Sequence, residues 1–208
     1  MRRLCFGGSF NPIHWGHLRC AQAVASRAGD EQVVLIPAAV SPHKADDELA
    51  TADDRLAMCR LAVAELQQHN ACHGNLGNLE FDVSDIELRR PPPSYTIDTI
   101  RALKRAGWSE VHWLIGGDQV ASLPKWHEPE AILREATLLI MARPGFTIDW
   151  QDLPAAFGRL AENVVEAPLI DISATEIRRR VRQGSPIAGL VPDSVADYIR
   201  AQGVYRAD

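Results

Sequence analysis

The strongest structural signal in this chain is the segment Gly7-Gly8-Ser9-Phe10-Asn11-Pro12-Ile13-His14-Trp15-Gly16-His17-Leu18. A short apolar run, Leu4–Phe6, precedes it and predicts a first β-strand, and an amphipathic run, Leu18–Ala28, predicts a first helix after it. A glycine pair at a strand end lets the backbone approach a ligand that a Cβ would exclude. The helix start adds unpaired N–H groups and the positive end of its dipole, and two imidazoles can face the same way there. The segment therefore predicts a cradle for a polyphosphate.

Apolar runs and helical patterns alternate along the rest of the chain. The predicted strands are Leu4–Phe6, Val33–Ile36, Leu79–Phe81, Val111–Ile115, Ala136–Ala142 and Val164–Glu166. The predicted helices are Leu18–Ala28, Asp53–Gln68, Thr96–Ala106, Pro129–Arg134, Ala174–Gln183 and Ser194–Gln202. This alternation predicts a parallel sheet covered on both faces, with ligands beyond the carboxyl ends of its strands. The polar stretch Gln68–Asn78 is predicted to be an exposed loop.

Composition limits the classes of protein that this chain can be. The 208 residues suit a single domain over residues 1–208, and 46% hydrophobic residues suffice for a core without disulfides or metals. No run is long enough to span a membrane, and no cleavable leader is recognised, so a cytoplasmic location is expected. A net charge of −5 argues against a nucleic-acid partner. The four cysteines form no CxxC pair; Cys20 and Cys59 are expected to be small buried residues.

Two loops that follow predicted strands carry charged groups. The segment from Ile36 to Lys44 is stiffened by prolines, and Lys44 projects a hydrated point charge that suits a phosphate. After the fourth strand, Gly116-Gly117-Asp118 permits close backbone approach, and Asp118 can accept from ribose hydroxyls or hold a water on Mg²⁺. On these observations alone, Lys44 can also be an ordinary surface lysine and Asp118 the N-cap of a short helix.

Three further segments carry hydroxyl, aromatic or cationic groups. Ser94-Tyr95-Thr96-Ile97-Asp98-Thr99 predicts a helix start that Ser94 or Thr96 can cap. Leu123-Pro124-Lys125-Trp126-His127 places an indole beside a predicted loop, as a core side chain or as a platform for an aromatic ligand. Ile172-Ser173-Ala174-Thr175-Glu176-Ile177-Arg178 has the spacing of a capping box, with hydroxyls and a guanidinium near a helix start, where oxygens of a triphosphate would fit.

These motifs, in this order from Gly7 to Arg178, resemble those of the nucleotidyltransferase superfamily and, within it, the bacterial nicotinate-nucleotide adenylyltransferases. The superfamily's His-x-Gly-His element is similar to residues 14–17. The Ile36–Lys44 loop resembles the family's proline loop, with Ser41 where the first proline of a pair is frequent. Ala174 replaces the second serine of Ile-Ser-Ser-Thr-x-Ile-Arg, and His127 stands where tyrosine is frequent. Ala142-Arg143-Pro144-Gly145 resembles a mainly structural Arg-Pro-Gly turn of the family.

The resemblance implies a Rossmann-like α/β fold, a doubly wound parallel sheet with a small C-terminal helical part. It implies that ATP and nicotinate mononucleotide react to give nicotinate adenine dinucleotide and pyrophosphate, with Mg²⁺ entering as MgATP and no metal site of the protein's own. The catalytic residues it implies are His14, His17, Lys44 and Arg178. The ATP-binding residues it implies are Gly7, Gly8, Ser9, Phe10, Gly116, Asp118, Ile172, Ser173 and Thr175. The nicotinate-nucleotide-binding residues it implies are Asn11, Ser94, Tyr95, Thr96, Trp126 and His127.

Other functions are compatible with parts of this pattern. A pantetheine-phosphate or nicotinamide-nucleotide adenylyltransferase would share the histidine element, although Ser94–Thr99 and Trp126 argue against the former. An aminoacyl-tRNA synthetase fragment would also have that element, but the chain is short and has no Lys-Met-Ser-Lys-Ser loop. A non-catalytic nucleotide sensor is expected to have lost phosphate-contacting residues that this chain retains. The sequence does not determine the oligomeric state.

Overall fold

A computed structural model of the chain describes residues 1–40, 50–73, 79–142 and 147–206, with only the backbone described at 70–73. Lys44, Ser41 and the Arg143-Pro144-Gly145 turn lie outside the described residues. Among the described residues, no helix combines the length and the apolar character needed to cross a membrane.

Six parallel strands form one sheet, as the alternating pattern predicts. The strands are β1 (Arg3–Gly8), β2 (Gln32–Pro37), β3 (Glu80–Val83), β4 (His112–Gly116), β5 (Thr137–Ala142) and β6 (Val164–Glu166). Their order across the sheet is β3-β2-β1-β4-β5-β6. In register, Cys5 of β1 lies between Val34 of β2 and Trp113 of β4. Each strand begins and ends within two residues of its predicted bounds.

The six predicted helices are also present. They are α1 (Trp15–Ala28), α2 (Ala52–His73), α3 (Thr96–Arg105), α4 (Pro129–Glu135), α5 (Ala174–Arg182) and α6 (Asp193–Gln202). The prediction of an exposed loop from Gln68 is wrong for its first part, because α2 continues to His73. No glycine or proline interrupts that stretch before Gly74, so nothing in the local sequence stops the helix earlier. Two 3₁₀ segments, Gly117–Lys125 and Ala155–Asn163, are not part of the sequence prediction.

Hydrophobic side chains cover both faces of the sheet, and the four inner strands β2, β1, β4 and β5 accordingly have buried apolar runs. On β1, Leu4 and Phe6 belong to one cluster and Cys5 to the other, because successive side chains of a strand point to opposite faces. The first cluster includes residues of α1, α2, α5 and α6, and the second includes residues of α3, α4 and the two 3₁₀ segments. The expected burial of Cys20 and Cys59 is confirmed.

The winding of the sheet reverses between β1 and β4. The chain builds outward from β1 to β3 and then returns to place β4 on the other side of β1. In open α/β sheets, ligands bind beyond the carboxyl ends of the strands where this reversal occurs. Here that position is flanked by Gly7 and Gly8 at the end of β1 and by Gly116 at the end of β4.

Candidate active site

Two adjoining cavities open at the point of reversal. We call the smaller one, about 280 Å³ and lined by Trp126, the indole cavity. The larger one, about 720 Å³ and lined by both histidines of the first motif, is called the histidine cavity. The two cavities share the walls formed by Gly7, Gly8, Ser9, Asp118 and Gln119. They are therefore neighbouring compartments of one cleft.

Most residues proposed from the sequence line this cleft. Those in the wall of the histidine cavity are Gly7, Gly8, Ser9, Phe10, Asn11, His14, His17, Gly116, Asp118, Ile172, Ser173, Thr175 and Arg178. Those in the wall of the indole cavity, besides the shared ones, are Ser94, Thr96 and Trp126. Asn11, proposed for the pyridine nucleotide, thus lies on the histidine side.

The two imidazoles hold each other at the start of α1. His14 is the N-cap, and its Nδ1 accepts the backbone N–H of His17 at 3.3 Å, while Nδ1 of His17 accepts the backbone N–H of His14 at 3.3 Å. The rings stack with centroids 3.6 Å apart, and Phe10 packs edge-on against His17 at 5.2 Å. A ring nitrogen that accepts a hydrogen bond carries no proton, so each neutral ring bears its proton on Nε2. Both rings are thereby fixed as Nε2–H donors.

The start of α1 offers fewer backbone donors than the sequence pattern predicts. The N–H of Trp15 donates to the carbonyl of Leu190 at 3.1 Å, and that of His17 goes to His14. The prediction of unpaired amides is wrong for these two residues, because the loop before α6 and the His14 ring already accept from them. The donors toward the histidine cavity at this helix end are therefore mainly side chains.

Two glycines of the first motif make room for side chains of the protein itself. A Cβ at Gly7 would lie 2.7 Å from Cζ2 of Trp113, and one at Gly16 would lie 3.0 Å from the His14 ring. Both distances are shorter than ordinary carbon contacts. The glycine in the His-x-Gly-His element therefore lets the His14 ring lie over the first turn of α1.

Arg178 reaches the cleft from a position one turn into α5. It is 8% exposed, and its Nη1 donates to the backbone carbonyl of Asn11 at 2.9 Å. Ser173 is the N-cap of α5, as predicted, and its hydroxyl accepts the N–H of Glu176 at 3.2 Å. The carboxylate of Glu176 pairs with Arg179 and Arg180 on the outer face, which lowers its pKa to about 2 through their hydrogen bonds.

The hydroxyls of the Ser94–Thr99 segment do not cap α3. Tyr95 is the N-cap and makes no side-chain capping bond, so the prediction of a cap by Ser94 or Thr96 is wrong. Ser94 instead accepts the N–H of Ala39 at 3.1 Å, and its own N–H donates to the carbonyl of Val40 at 3.1 Å. These bonds join the start of α3 to the loop after β2 beside the indole cavity, which Ser94 and Ala38 line.

The aromatic side chains near the indole cavity have different positions. Trp126 is half-buried in the wall, and its Nε1 donates to the hydroxyl of Ser122 at 3.4 Å. Tyr95 and His127 are not among the residues that line either cavity; their rings stack on each other with centroids 4.3 Å apart. His127 is exposed and lies 3.7 Å from the Glu128 carboxylate.

Comparisons with known proteins agree with this geometry. The model of the cytidylyltransferase-like family matches residues 5–180. The "Probable nicotinate-nucleotide adenylyltransferase" of Roseiflexus sp. (strain RS-1) is 41% identical over 202 residues, which are 96% of this chain and 96% of the relative. The protein of the same name from Yersinia pestis (strain Pestoides F) is 38% identical over 219 residues, which cover 97% of this chain and 94% of the relative. The chain belongs to the cytidylyltransferase-like family. The resemblance found in its motifs is confirmed.

Solved structures confirm the α/β fold expected of this family. Plasmodium falciparum nicotinic acid mononucleotide adenylyltransferase complexed with NaAD is similar with a TM-score of 0.72, at 18% identity, over 99% of this chain and 98% of that one. The same Plasmodium protein complexed with APC also gives 0.72, at 17% identity. The doubly wound Rossmann-like sheet is thus the fold of this member of the cytidylyltransferase-like family.

A buried carboxyl group in this member's cleft escaped the sequence reasoning. Glu87 is 4% exposed and lines the indole cavity. Its carboxylate accepts a hydrogen bond from the Thr99 hydroxyl at 2.6 Å, and the Thr99 oxygen in turn accepts one from Arg90 at 2.6 Å. Burial raises the pKa of Glu87, while the Thr99 hydrogen bond, the Arg90 charge and a Ser94 hydrogen bond act in the opposite direction. No local pattern marks it, because Glu87 lies in a short turn before the three prolines.

Arg55 is a second residue that sequence reasoning missed. Its guanidinium is 1% exposed and donates to the carbonyls of Ser9 at 2.8 Å, Ala38 at 2.7 Å, Ala39 at 3.1 Å and Ala50 at 3.1 Å. Four acceptors compensate for removing a charge from water. Arg55 thus holds the end of the glycine loop against the loop after β2. From the sequence it is one of several charged residues in the predicted helix Asp53–Gln68.

Proposed function

We propose that this chain transfers the adenylyl group of ATP to nicotinate mononucleotide, giving nicotinate adenine dinucleotide and pyrophosphate. The observation that carries the proposal is the shared wall of Gly7–Ser9 and Asp118, which places an aromatic-lined cavity beside one lined by imidazoles and a guanidinium. A reaction between two nucleotides needs two neighbouring compartments of this kind. The names of relatives about 40% identical over nearly the whole chain support the same activity.

The lining of each cavity suits one substrate. The histidine cavity receives the triphosphate, with His14, His17 and Arg178 as donors and with Ser173 and Thr175 at the start of α5. The indole cavity receives the pyridine ring, with Trp126 as a stacking surface and the hydroxyls of Ser94 and Thr96 as partners for its carboxylate. Lys44 is proposed as a further cation for the triphosphate.

The chemistry requires alignment and charge stabilisation rather than a protein nucleophile. A phosphate monoester has its second pKa at about 6, so the phosphate of nicotinate mononucleotide is ionised near neutral pH. One of its oxygens forms a bond to the α-phosphorus of ATP. The bond from that phosphorus to the α–β bridging oxygen breaks, and pyrophosphate leaves with the electron pair. No proton has to be removed from the attacking group. Fixed Nε2–H donors and a guanidinium offset charge that develops on the phosphoryl oxygens.

Mg²⁺ is proposed to enter with the nucleotide. No set of three or more metal-binding side chains occurs within residues 1–40, 50–73, 79–142 and 147–206. Asp118 is nevertheless a carboxylate in the wall of both cavities. One carboxylate together with substrate phosphates fits the usual donor set of this ion, which would supply further charge neutralisation.

The decisive assay measures pyrophosphate release from ATP with different acceptors. Nicotinate mononucleotide is expected to give kcat/KM at least about tenfold above nicotinamide mononucleotide, because only the former offers a carboxylate to the hydroxyls of the indole cavity. Pantetheine phosphate is expected to give no product. Equal activity with both pyridine nucleotides would refute the choice of substrate, and binding of ATP without pyrophosphate release would make the chain a sensor. A single domain over residues 1–208 and a cytoplasmic location stay predictions.

A further inference from the structure

A hydrogen-bonded junction centred on Asn11 lies under the histidine cavity. Asn11 is 3% exposed. Its Oδ1 accepts the N–H of Ala50 at 3.0 Å and the hydroxyl of Tyr205 at 2.8 Å. Its backbone carbonyl accepts Nη1 of Arg178 at 2.9 Å. Asn11 of the glycine loop therefore binds Arg178 of α5, the backbone two residues before α2, and a side chain 194 positions further along the chain.

Tyr205 reaches this junction through an unusual backbone turn. Helix α6 ends at Gln202 with Gly203 in the left-handed region, and the N–H of Arg206 donates back to the carbonyl of Gly203 at 3.3 Å. Tyr205 itself has φ +67°, a conformation that residues other than glycine and asparagine seldom adopt. Such a conformation persists only where the surroundings fix it, and here the hydroxyl ends on Asn11.

The surroundings keep Tyr205 as a donor. Its ring packs against the hydrophobic cluster formed with α1, α2 and α6. Burial raises the pKa of its hydroxyl, more than the nearby charges of Arg178 and Arg55 lower it. Asn11 Oδ1 is thus held by two donors, one from the C-terminal segment and one from the backbone of Ala50, whose carbonyl is also bound by Arg55.

We infer that Tyr205 is a positioning residue for the triphosphate side of the cleft, acting through Asn11 on Arg178. The inference rests on the proposed function only for the identity of the ligand. The Tyr205 hydroxyl fixes the Asn11 side chain, the Asn11 carbonyl fixes the guanidinium, and the guanidinium lines the histidine cavity. The C-terminal segment thereby contributes to a site whose walls come from the carboxyl ends of β1 and β4 and from the start of α5.

The chain contains a matched control for the test. Tyr198, in α6, also donates its hydroxyl at 2.8 Å to a side chain outside its own helix, the Asp54 carboxylate in α2. Neither Tyr198 nor Asp54 lines the histidine cavity. Tyr205→Phe and Tyr198→Phe therefore each delete one hydroxyl and one long-range hydrogen bond, and only the former touches Asn11.

The experiment measures the Kd of ATP without acceptor, steady-state kinetics and the thermal midpoint of each full-length variant. Tyr205→Phe is expected to weaken ATP binding about 3- to 10-fold and to lower kcat similarly, with the KM of nicotinate mononucleotide within about twofold. Tyr198→Phe is expected to change Kd and kcat by less than about twofold, even where its Tm falls equally. In an Arg178→Lys background, Tyr205→Phe is expected to add little, because both changes act on the same contact.

Equal kinetic effects of the two variants, or a Tyr205→Phe effect that is fully additive with Arg178→Lys, would overturn the inference. Wild-type protein that binds ATP but forms no dinucleotide would refute the proposed function instead. The ATP affinities would still decide the role of Tyr205 in that case.

Discussion

At the scale of single residues, the imidazoles of His14 and His17 serve structure and chemistry with different atoms. In each ring Nδ1 is bound to a backbone N–H of the other histidine, which completes the cap of α1. The same bonds fix the proton on Nε2 and so determine which atom can donate to a phosphate. Replacing either histidine by a side chain of different geometry would remove the capping hydrogen bond, the Nε2–H donor or both.

Replacing His17 by alanine tests this double role. His17→Ala is expected to lower kcat about 10²- to 10³-fold, because a preorganised donor to the developing charge is lost. Losing the capping bond is expected to cost only about 1 kcal/mol of unfolding free energy, so the fold persists. Steady-state assays of pyrophosphate release measure kcat, and denaturant unfolding followed by circular dichroism measures the unfolding free energy.

The exposed His69 in α2 provides the control, and His69→Ala is expected to retain wild-type turnover. Near-normal turnover of His17→Ala would contradict the assignment of this ring to the reaction.

At the scale of secondary-structure elements, Arg101 joins α3 to the turn that carries Trp126. Its guanidinium binds both oxygens of Glu128 at 3.0 and 2.7 Å and Glu135 of α4 at 3.1 Å. Glu128 has φ +48° and is the N-cap of α4. The turn between the first 3₁₀ segment and α4 is therefore held by charged contacts, and the position of the indole depends on them.

Arg101→Gln is expected to raise the KM of nicotinate mononucleotide about 3- to 10-fold, with the KM of ATP within about twofold. The physical reason is a looser Trp126 turn, which makes the stacking surface less well placed. Steady-state kinetics with each substrate varied in turn measure the difference.

The guanidinium of Arg200 pairs with Asp197 of the same helix at 3.0 Å, so Arg200→Gln is the matched control and should leave both KM values unchanged. Equal rises in both KM values for Arg101→Gln would indicate a general loss of structure rather than a role at the indole cavity.

At the scale of the whole molecule, the carboxyl and amino ends of the parallel strands have different roles. The carboxyl ends of β1 and β4 form part of the cleft, whereas at the amino-terminal end of β4 the Nδ1 atom of His112 lies 2.9 Å from the buried Asp30 carboxylate. The hydrogen bond that Nδ1 of His112 donates to the Asp30 carboxylate raises the pKa of His112, against the opposing effect of burial, and the Asp30 charge adds to the rise. This pair joins the residues before β2 to the first residue of β4, far along the strands from the cavities.

The sign of its pH dependence follows from the raised pKa. Stabilisation by the charged pair is fully present below the unfolded pKa of about 6.5 and is lost as pH rises through the folded value. The difference in unfolding free energy between wild type and His112→Asn is therefore expected to shrink from about pH 6 to pH 9.

Urea unfolding across this range measures the difference. If the difference in unfolding free energy is constant with pH, or grows as pH rises, then protonated His112 does not stabilise the fold through Asp30.

Local patterns in the sequence determine much of this protein. Strand and helix order, the glycine turns and the Ser173 cap follow from short-range rules of periodicity and capping, and the order of motifs indicates the family. The C-terminal end of α2 lies beyond its predicted position because no glycine or proline occurs before Gly74. The predicted cap of α3 is wrong because Ser94 has a tertiary partner and accepts from Ala39 rather than from α3.

Only the tertiary structure decided which polar groups meet. The bonds from Arg55 to four carbonyls, from Thr99 to Glu87, and from Tyr205 to Asn11 all join parts of the chain that no periodic pattern connects. Burial makes these hydrogen bonds important for stability, because a polar group removed from water costs free energy unless it has a partner. Which partner lies within reach depends on how the helices and loops pack around the sheet.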